Sequence, residues 1–249
     1  MNIMNSSFII PDWPVAETIR SFSTTRLGGI SSSPYDSLNL GLHVGDEPDA
    51  VLANRNQLIQ ELKLPEQPRW LDQIHGTHVC SAQDWQYGDQ ADAIISHSEN
   101  QVCSIMTADC LPILLCNQQG TKVAAIHAGW RSLAAGIIEK TIDKFDCHPA
   151  DIITWLGPAI GPTQFEVGHD VYQAFCQHSD TAQHAFKKTD SSHYLVDIYL
   201  LARQRLNALN VSAIFGGDYC TVSDPSQFFS YRRDGVTGRM ASIIWIAAK

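Results

Sequence analysis

The stretch that decides the fold is residues 107–131, TADCLPILLCNQQGTKVAAIHAGWR. Two apolar segments in it are joined by a polar turn, a pattern typical of a β-hairpin. With the turn centred between Gln118 and Gln119, Cys110 and His127 are directly opposed residues with Cβ atoms ~4.5 to 5.5 Å apart. The pattern therefore predicts a thiol and an imidazole close enough to share a metal ion or a proton.

The second strand of this hairpin leads directly into a predicted helix. Residues 129–145 carry apolar side chains at helical spacing, which predicts an amphipathic helix that begins just after His127. The free backbone N–H groups at such a junction, together with Arg131, suit an anion such as phosphate or a carboxylate. Gly129 allows a close approach there.

Short strand-like runs surround the hairpin, whereas only two further segments have helical periodicity. The predicted strands are 94–96, 102–106, 112–116, 123–127, 152–156, 212–215 and 241–246, and the further helices are 50–62 and one that starts at 171–176. Adjoining strands break any strict βαβ alternation, which favours an α/β protein with a mixed sheet core and helices packed outside. Residues 27–34 are predicted to form a loop. Because no long linker or repeat divides the chain, we expect residues 1–249 to form one domain.

The composition excludes several classes of protein. The chain has 249 residues, 44% of them apolar, and a net charge of −9, which indicates a globular protein and argues against nucleic acid polymers or an anionic membrane as partners. No apolar run reaches the ~18 to 20 residues that span a bilayer. The N-terminal residues also lack the pattern of a signal peptide. We therefore expect a cytoplasmic protein that acts on a small molecule, as a monomer or weak homodimer.

The seven cysteines are dispersed without a CxxC pair, so we expect free thiols in a reducing compartment. A third ligand for a Cys110–His127 pair comes from residues 72–78, DQIHGTH, where either His75 or His78 completes a His, His, Cys set. Three protein ligands with a fourth position open to water or substrate are the pattern of catalytic zinc. The alternative is a hydrogen-bonded structural histidine beside a buried cysteine.

Eight motifs follow one another along the chain: STTRLGGIS (23–31), LNLGLHVGD (38–46), DQIHG (72–76), TADCLP (107–112), IHAGWR (126–131), GPAIGP (157–162), FEVG (165–168) and FFSYRRD (228–234). In this order they resemble the YfiH family, once described as multicopper polyphenol oxidases or laccase-domain proteins and now as purine nucleoside phosphorylases. The resemblance runs over nearly the whole chain. One departure is Ser132, where the family commonly has Gly.

The resemblance implies a single layered α/β/β/α domain, similar to the catalytic domain of cytotoxic necrotizing factors. It also implies a catalytic zinc site made by His75, Cys110 and His127, at which copper is an alternative metal. The implied activities are phosphorolysis of adenosine, inosine and S-methyl-5'-thioadenosine, and deamination of adenosine.

Substrate contacts are expected from polar residues inside the motifs. Guanidinium groups suit phosphate oxygens, and amide or imidazole groups suit a base or ribose. The candidates are Arg26, Arg131, and Arg232 or Arg233 for phosphate, and Asn39 and His43 for the nucleoside. Asp109 is the carboxylate nearest to Cys110 in sequence, and extended backbone would point it away from the thiol, so we expect it to orient other groups.

Three alternatives use the same residues. Cys110 as a nucleophile with His127 as its base would give a thiol hydrolase or amidase, for example one acting on a peptidoglycan precursor. A copper-dependent polyphenol oxidase is the second, and Met106 near the ligands suits it superficially. The absence of any His-x-His pair argues against the oxidase. The third is a domain that only binds a nucleotide or a partner protein.

Overall fold

The computed structural model describes residues 7–248. Its strands are β1 Phe8–Ile9, β2 Ile19–Thr24, β3 Val79–Ser81, β4 Ala93–Ser96, β5 Cys103–Thr107, β6 Leu111–Asn117, β7 Val123–Ala128, β8 Ile152–Leu156, β9 Glu166–Gly168, β10 Phe186–Lys188, β11 His193–Val196, β12 Ala213–Gly216 and β13 Met240–Ile246. Its α-helices are α1 Pro48–Leu62, α2 Trp130–Ala134, α3 Ile137–Phe145, α4 His169–Cys176, α5 Ile198–Ala208 and α6 Tyr231–Asp234. Two short 3₁₀ helices cover Pro149–Asp151 and Asp180–Ala185.

The predicted hairpin, β6 and β7, lies in the middle of a six-stranded mixed sheet with the order β12-β8-β6-β7-β4-β3. Every residue of both strands is buried because alternate side chains pack into different layers. On β6, Ile113 and Leu115 join the cluster that contains Phe145 of α3. Leu114 and Cys116 face the other way and join a cluster with residues of a second sheet. Both faces of the hairpin are therefore mainly apolar, with Asn117 and His127 as the polar exceptions.

The second sheet has the order β1-β2-β13-β5, and a small third sheet has the order β10-β11-β9. Ile105 of β5 and Ile244 of β13 pack against the six-stranded sheet. On its outer side the second sheet packs against α1, where Leu58 contacts the cluster of Ile243. Helices thus cover the outer faces of two stacked sheets, and the mixed α/β fold with outer helices is confirmed.

The predicted register of the hairpin is wrong by two residues. Pro112 pairs with His127, so the turn is centred between Gln119 and Gly120, one residue later than predicted. The side chain of Asn117 stabilises this turn, since its Oδ1 accepts hydrogen bonds from the backbone N–H groups of Thr121 and Lys122 at 2.8 and 2.9 Å. A shift of two residues keeps side chains on the same face. Cys110 therefore still lies on the side of His127, one diagonal step away.

The other predicted elements differ mainly at their ends. All seven predicted strands are present, and the helices expected at 50–62 and from 171 are α1 and α4. The single helix expected over 129–145 is two helices, because Gly136 has a φ of 91° and ends the helical path after α2. Helices α5 and α6 and strands β1, β2, β3, β9, β10 and β11 were not predicted. Residues 27–34 form a loop, as expected.

Within residues 7–248, no helix combines the length and the apolar character that a bilayer-spanning segment needs.

Candidate functional site

Three side chains meet where the hairpin opens toward the surface. Cys110 directly precedes β6, His127 lies one residue before the end of β7, and His75 lies in the loop between α1 and β3. The possible ligand atoms of the three residues all lie within 4.8 Å of one another, and Nε2 of His75 is 3.7 Å from Sγ of Cys110. Of the two histidines that we considered for the third position, the structure brings His75 into the cluster and leaves His78 outside it.

Asp92, which was not predicted from the sequence, holds the ring of His127 and the backbone of His75 in place. Its side chain is fully buried, and its Oδ1 lies 2.8 Å from Nδ1 of His127. The same carboxylate accepts hydrogen bonds from the backbone N–H groups of His75 at 3.0 Å and Gly76 at 2.6 Å. With its Nδ1 proton held by Asp92, His127 presents Nε2 to the cluster, the arrangement in which a carboxylate orients a metal-ligating imidazole.

The electrostatics of the cluster favour a thiolate. Burial alone would raise the pKa of the Cys110 thiol, but the charge of His127 and hydrogen bonds from His127 and His75 lower this pKa to about 6. Burial alone would lower the pKa of His127, but Cys110 and Asp92 raise it to about 9. Without a metal ion, the two side chains therefore form a thiolate–imidazolium pair at neutral pH. A thiolate is the form of cysteine that binds a metal.

The backbone at Gly129 leaves room for this cluster. A Cβ atom at this position would lie 2.9 Å from Cδ2 of His75 and 3.2 Å from Sγ of Cys110, so any other residue would press on both. One sulfur and two nitrogen donors, with an orienting carboxylate behind one of them, fit a zinc or copper ion with a coordination position left open. The cluster could thus hold a metal ion.

Two adjoining cavities share the cluster as a common wall. The first has a volume of about 270 Å³ and is mainly apolar, with Trp130, Ile160, Phe165, Ile198 and Tyr231 around His75 and Cys110. The second has a volume of about 400 Å³ and is called the polar cavity here because most of the side chains that line it are polar, with His43, Gln73, Thr107, Tyr231 and Arg239 around all three cluster residues. A ligand that spans both cavities would pass directly over the cluster.

Three of the five predicted substrate contacts line these cavities. Arg131 and Arg232 line the apolar cavity, where the guanidinium of Arg131 lies 4.3 Å from the ring centroid of Trp130 and Nη1 of Arg232 donates to the carbonyl of Glu166 at 2.9 Å. His43 lines the polar cavity.

The other two predicted contacts, Arg26 and Asn39, lie outside both cavities. Arg26 donates from Nε to the carbonyl of Asp36 at 2.8 Å and forms an ion pair with the Asp36 carboxylate. Asn39 is fully buried, donates to Asp46, and accepts from the backbone N–H of Arg239 at 2.9 Å. Both side chains are already used to hold loops together.

Of the remaining residues singled out by the sequence, Asp109 and Arg233 have structural partners, whereas the buried hydroxyl of Ser132 has no hydrogen-bond partner within residues 7–248. Asp109 accepts hydrogen bonds from the hydroxyls of Thr221 and Ser230 and from the backbone N–H of Arg232, so it braces the wall of the apolar cavity, in keeping with an orienting role. Arg233 is paired with Asp234. Ser132 is buried in α2 and lines neither cavity.

Comparison with solved structures finds the same architecture. Protein NMB0706 of Neisseria meningitidis superposes with a TM-score of 0.94 at 46% identity, covering 98% of this chain and 100% of that one. A hypothetical protein YfiH of Bacillus licheniformis superposes with a TM-score of 0.91 at 28% identity, covering 98% of each chain.

Sequence comparison finds relatives of the same length. Proteins named purine nucleoside phosphorylase YfiH from Shigella flexneri and Escherichia coli K12 are each 51% identical over 242 residues, which cover 97% of this chain and 99% of each relative. A family model described as multi-copper polyphenol oxidoreductase laccase matches residues 20–247. The chain therefore belongs to the YfiH family, the family to which this laccase description is attached.

Proposed function

We propose that residues 1–249 form one catalytic domain with purine nucleoside phosphorylase activity on adenosine, inosine and S-methyl-5'-thioadenosine, and with adenosine deaminase activity. The observation that carries the proposal is the His75–Cys110–His127 cluster at the junction of an apolar and a polar cavity. The relatives named purine nucleoside phosphorylase, at 51% identity over nearly the full length, support it.

The two cavities suit the two halves of a nucleoside reaction. The aromatic rings of Trp130, Phe165 and Tyr231 offer flat apolar surface to a purine, with Arg131 and Arg232 at the same wall. The polar cavity with His43 suits a ribose and an oxyanion. In phosphorolysis a phosphate oxygen bonds to the anomeric carbon, the N-glycosidic bond breaks, and its electron pair leaves with the purine, which takes up a proton. The products are the free purine and the sugar 1-phosphate, which is ribose 1-phosphate from adenosine or inosine and 5-methylthioribose 1-phosphate from S-methyl-5'-thioadenosine.

The proposed metal is zinc, held by His75, Cys110 and His127, and copper would take the same ligands. Zinc bound there would supply a Lewis acid that polarises a water or substrate oxygen. The protein's own residues prepare the site for this. Asp92 holds the Nδ1 proton of His127, and Gly129 leaves space for the ring of His75. We further propose that the enzyme is a cytoplasmic monomer or weak homodimer that acts on small molecules rather than on nucleic acid polymers or membranes.

The test is incubation with adenosine and inorganic phosphate, followed by chromatography for adenine, ribose 1-phosphate and inosine. The wild type should form these products, whereas His75→Ala and Cys110→Ala should not. His78→Ala is the matched control for the histidine, because His78 is exposed and outside the cluster. Cys147→Ala serves in the same way for the cysteine. The proposal fails if the wild type forms no product or if the cluster variants form as much as the controls.

A second candidate function is a thiol hydrolase or amidase acting on a peptidoglycan precursor. It is favoured by the arrangement of Cys110, His127 and Asp92, in which a thiol, an imidazole and an orienting carboxylate follow one another. Metal content separates the two functions. Purified protein with less than about a tenth of an equivalent of zinc, whose hydrolase activity is abolished by iodoacetamide, would favour the thiol hydrolase. Oxidase chemistry is not proposed, because the sequence lacks any His-x-His pair.

A further inference from the structure

Arg55 of α1 is a buried arginine without an anionic partner. It is 6% exposed, and its Nε and Nη2 both donate to the carbonyl oxygen of Leu40 at 2.9 and 2.8 Å. Its guanidinium lies 4.2 Å from the ring centroid of Trp70. Among residues 7–248 it forms no ion pair with any Asp or Glu. A charged side chain is almost never fully buried without a counter-charge. Nη1 of Arg55 has no hydrogen-bond partner in the described part of the chain, so it is free to bind an anion from outside the chain.

Arg239 presents a second guanidinium on the same side of the cluster. Its Nη1 donates to the carbonyl oxygens of Thr237 and Gly238, while Nε and Nη2 have no hydrogen-bond partner within the described part of the chain. The bond from its backbone N–H to Asn39 fixes where the side chain begins. Arg239 lines the polar cavity together with Cys110 and His127. A fork of N–H donors is therefore free to bind a ligand there.

His43 connects the two arginines. It lines the polar cavity with Arg239 and also a smaller neighbouring cavity with Arg55, and Met106 lines both cavities as well. Burial lowers the pKa of His43, the charges of Arg239 and Arg55 lower it further, and only Asp72 acts to raise it. The imidazole is therefore neutral at pH 7 and retains one N–H donor for a ligand.

We propose that Arg55, Arg239 and His43 form an oxyanion subsite beside the metal-ligand cluster, and that its ligand is inorganic phosphate. The free Nη1 of Arg55 and the free Nε and Nη2 of Arg239 are N–H donors of the kind that bind the oxygens of a tetrahedral anion. The inference rests on the proposed function, since phosphorolysis needs a phosphate next to the reacting sugar. It places phosphate beside His43, where the polar cavity lined by Arg239 meets the smaller cavity lined by Arg55 and Asp72. Arg131 and Arg232 are left to the purine side, unlike the assignment made from the motifs.

The experiment measures phosphate binding and turnover separately on the full-length protein. Calorimetry with inorganic phosphate gives a dissociation constant without any reaction, for the wild type, Arg239→Met and Arg55→Met. Because hydrogen bonds to charged groups are lost, we expect phosphate binding to weaken by about tenfold or more in both variants. The KM for phosphate should rise to the same degree, while the KM for adenosine stays within about twofold. Arg20→Met is the control, since Arg20 lies on β2, away from the cavities.

Circular dichroism tests whether each variant is folded, because Arg55→Met also removes the two hydrogen bonds to the carbonyl of Leu40. Arg239→Gln is a milder second variant, because a glutamine keeps an NH₂ donor for the carbonyls of Thr237 and Gly238. A nucleoside 5'-monophosphate, tested in parallel, distinguishes a nucleotide phosphate from the free anion. Tight binding of the monophosphate that depends on Arg239, without binding of inorganic phosphate, overturns the assignment of the ligand.

The two proposals fail in different ways. If the wild type binds phosphate through Arg239 and Arg55 but forms no ribose 1-phosphate, the subsite stands and the proposed function falls. If the wild type catalyses phosphorolysis and folded variants of both arginines keep its phosphate affinity and KM, the function stands and the subsite is refuted.

Discussion

Replacing Asp92 with Asn should weaken metal binding by the cluster about tenfold to hundredfold. The carboxylate accepts three N–H groups, from Nδ1 of His127 and from the backbones of His75 and Gly76, at 2.8, 3.0 and 2.6 Å. An asparagine has the same shape but only one oxygen, so its NH₂ group must face one of these donors. One buried donor left without an acceptor costs about 1 to 3 kcal/mol, which corresponds to about fivefold to 150-fold in affinity.

The assay is competition for zinc with a chromophoric chelator, followed by measurement of the metal retained after dialysis. Asp143→Asn is the matched control, because Asp143 is exposed on α3 and has no part in the cluster. The thermal stability of the metal-free variants is measured in parallel, so that a general loss of folding is recognised. A zinc affinity of Asp92→Asn within about twofold of the wild type would refute the reasoning that this carboxylate orients His127.

Three further predictions follow from the same geometry. Gly129→Ala should fold normally, because the φ of −59° and ψ of 156° at this position suit alanine. Its rate of phosphorolysis should nevertheless fall about tenfold or more, because the new Cβ atom displaces the ring of His75. An unchanged rate would contradict this. In metal-stripped protein at pH 7, iodoacetamide should alkylate Cys110 before Cys103. Burial raises the pKa of the Cys103 thiol to about 12. At Cys110, burial is outweighed by the charge and hydrogen bond of His127, which lower the pKa of the thiol to about 6. Peptide mass spectrometry checks the order, and the rate should fall below pH 6 as the thiolate is protonated. Phe145→Ala, at a fully buried position, should lower the unfolding free energy in urea by about 3 to 5 kcal/mol.

The sequence was sufficient for the elements whose pattern is local. The hairpin β6–β7, with an apolar run on each side of a polar turn, was recognised, and only its register was wrong. The error was a turn centre placed one residue too early, at a turn that the side chain of Asn117 stabilises through its own hydrogen bonds. Because that shift was an even number of residues, the expected meeting of Cys110 and His127 still occurs. An odd shift would have put the two side chains on different faces.

Asp92 shows what a single sequence cannot supply. It stands between two alanines just before β4, with no spacing that links it to His127, 35 residues later. The contact arises because β4 pairs antiparallel with β7, placing Ala93 beside Ile126, and strand order in a sheet is a long-range property. The one available signal was a charged residue within an apolar stretch, which indicates a buried carboxylate that needs partners.

Motif residues that do not line the cavities still affect the reaction, because they position residues that do. Asn39 is an example, since its Oδ1 accepts from the backbone N–H of Arg239 and so sets the point from which that side chain enters the polar cavity. A motif therefore marks positions that cannot change without disturbing a site, whether or not they touch its ligand. For this reason the loss of function expected for an Asn39 variant would not identify Asn39 as a substrate contact. Only a change confined to the KM for phosphate, with the KM for adenosine preserved, would indicate that it acts through Arg239.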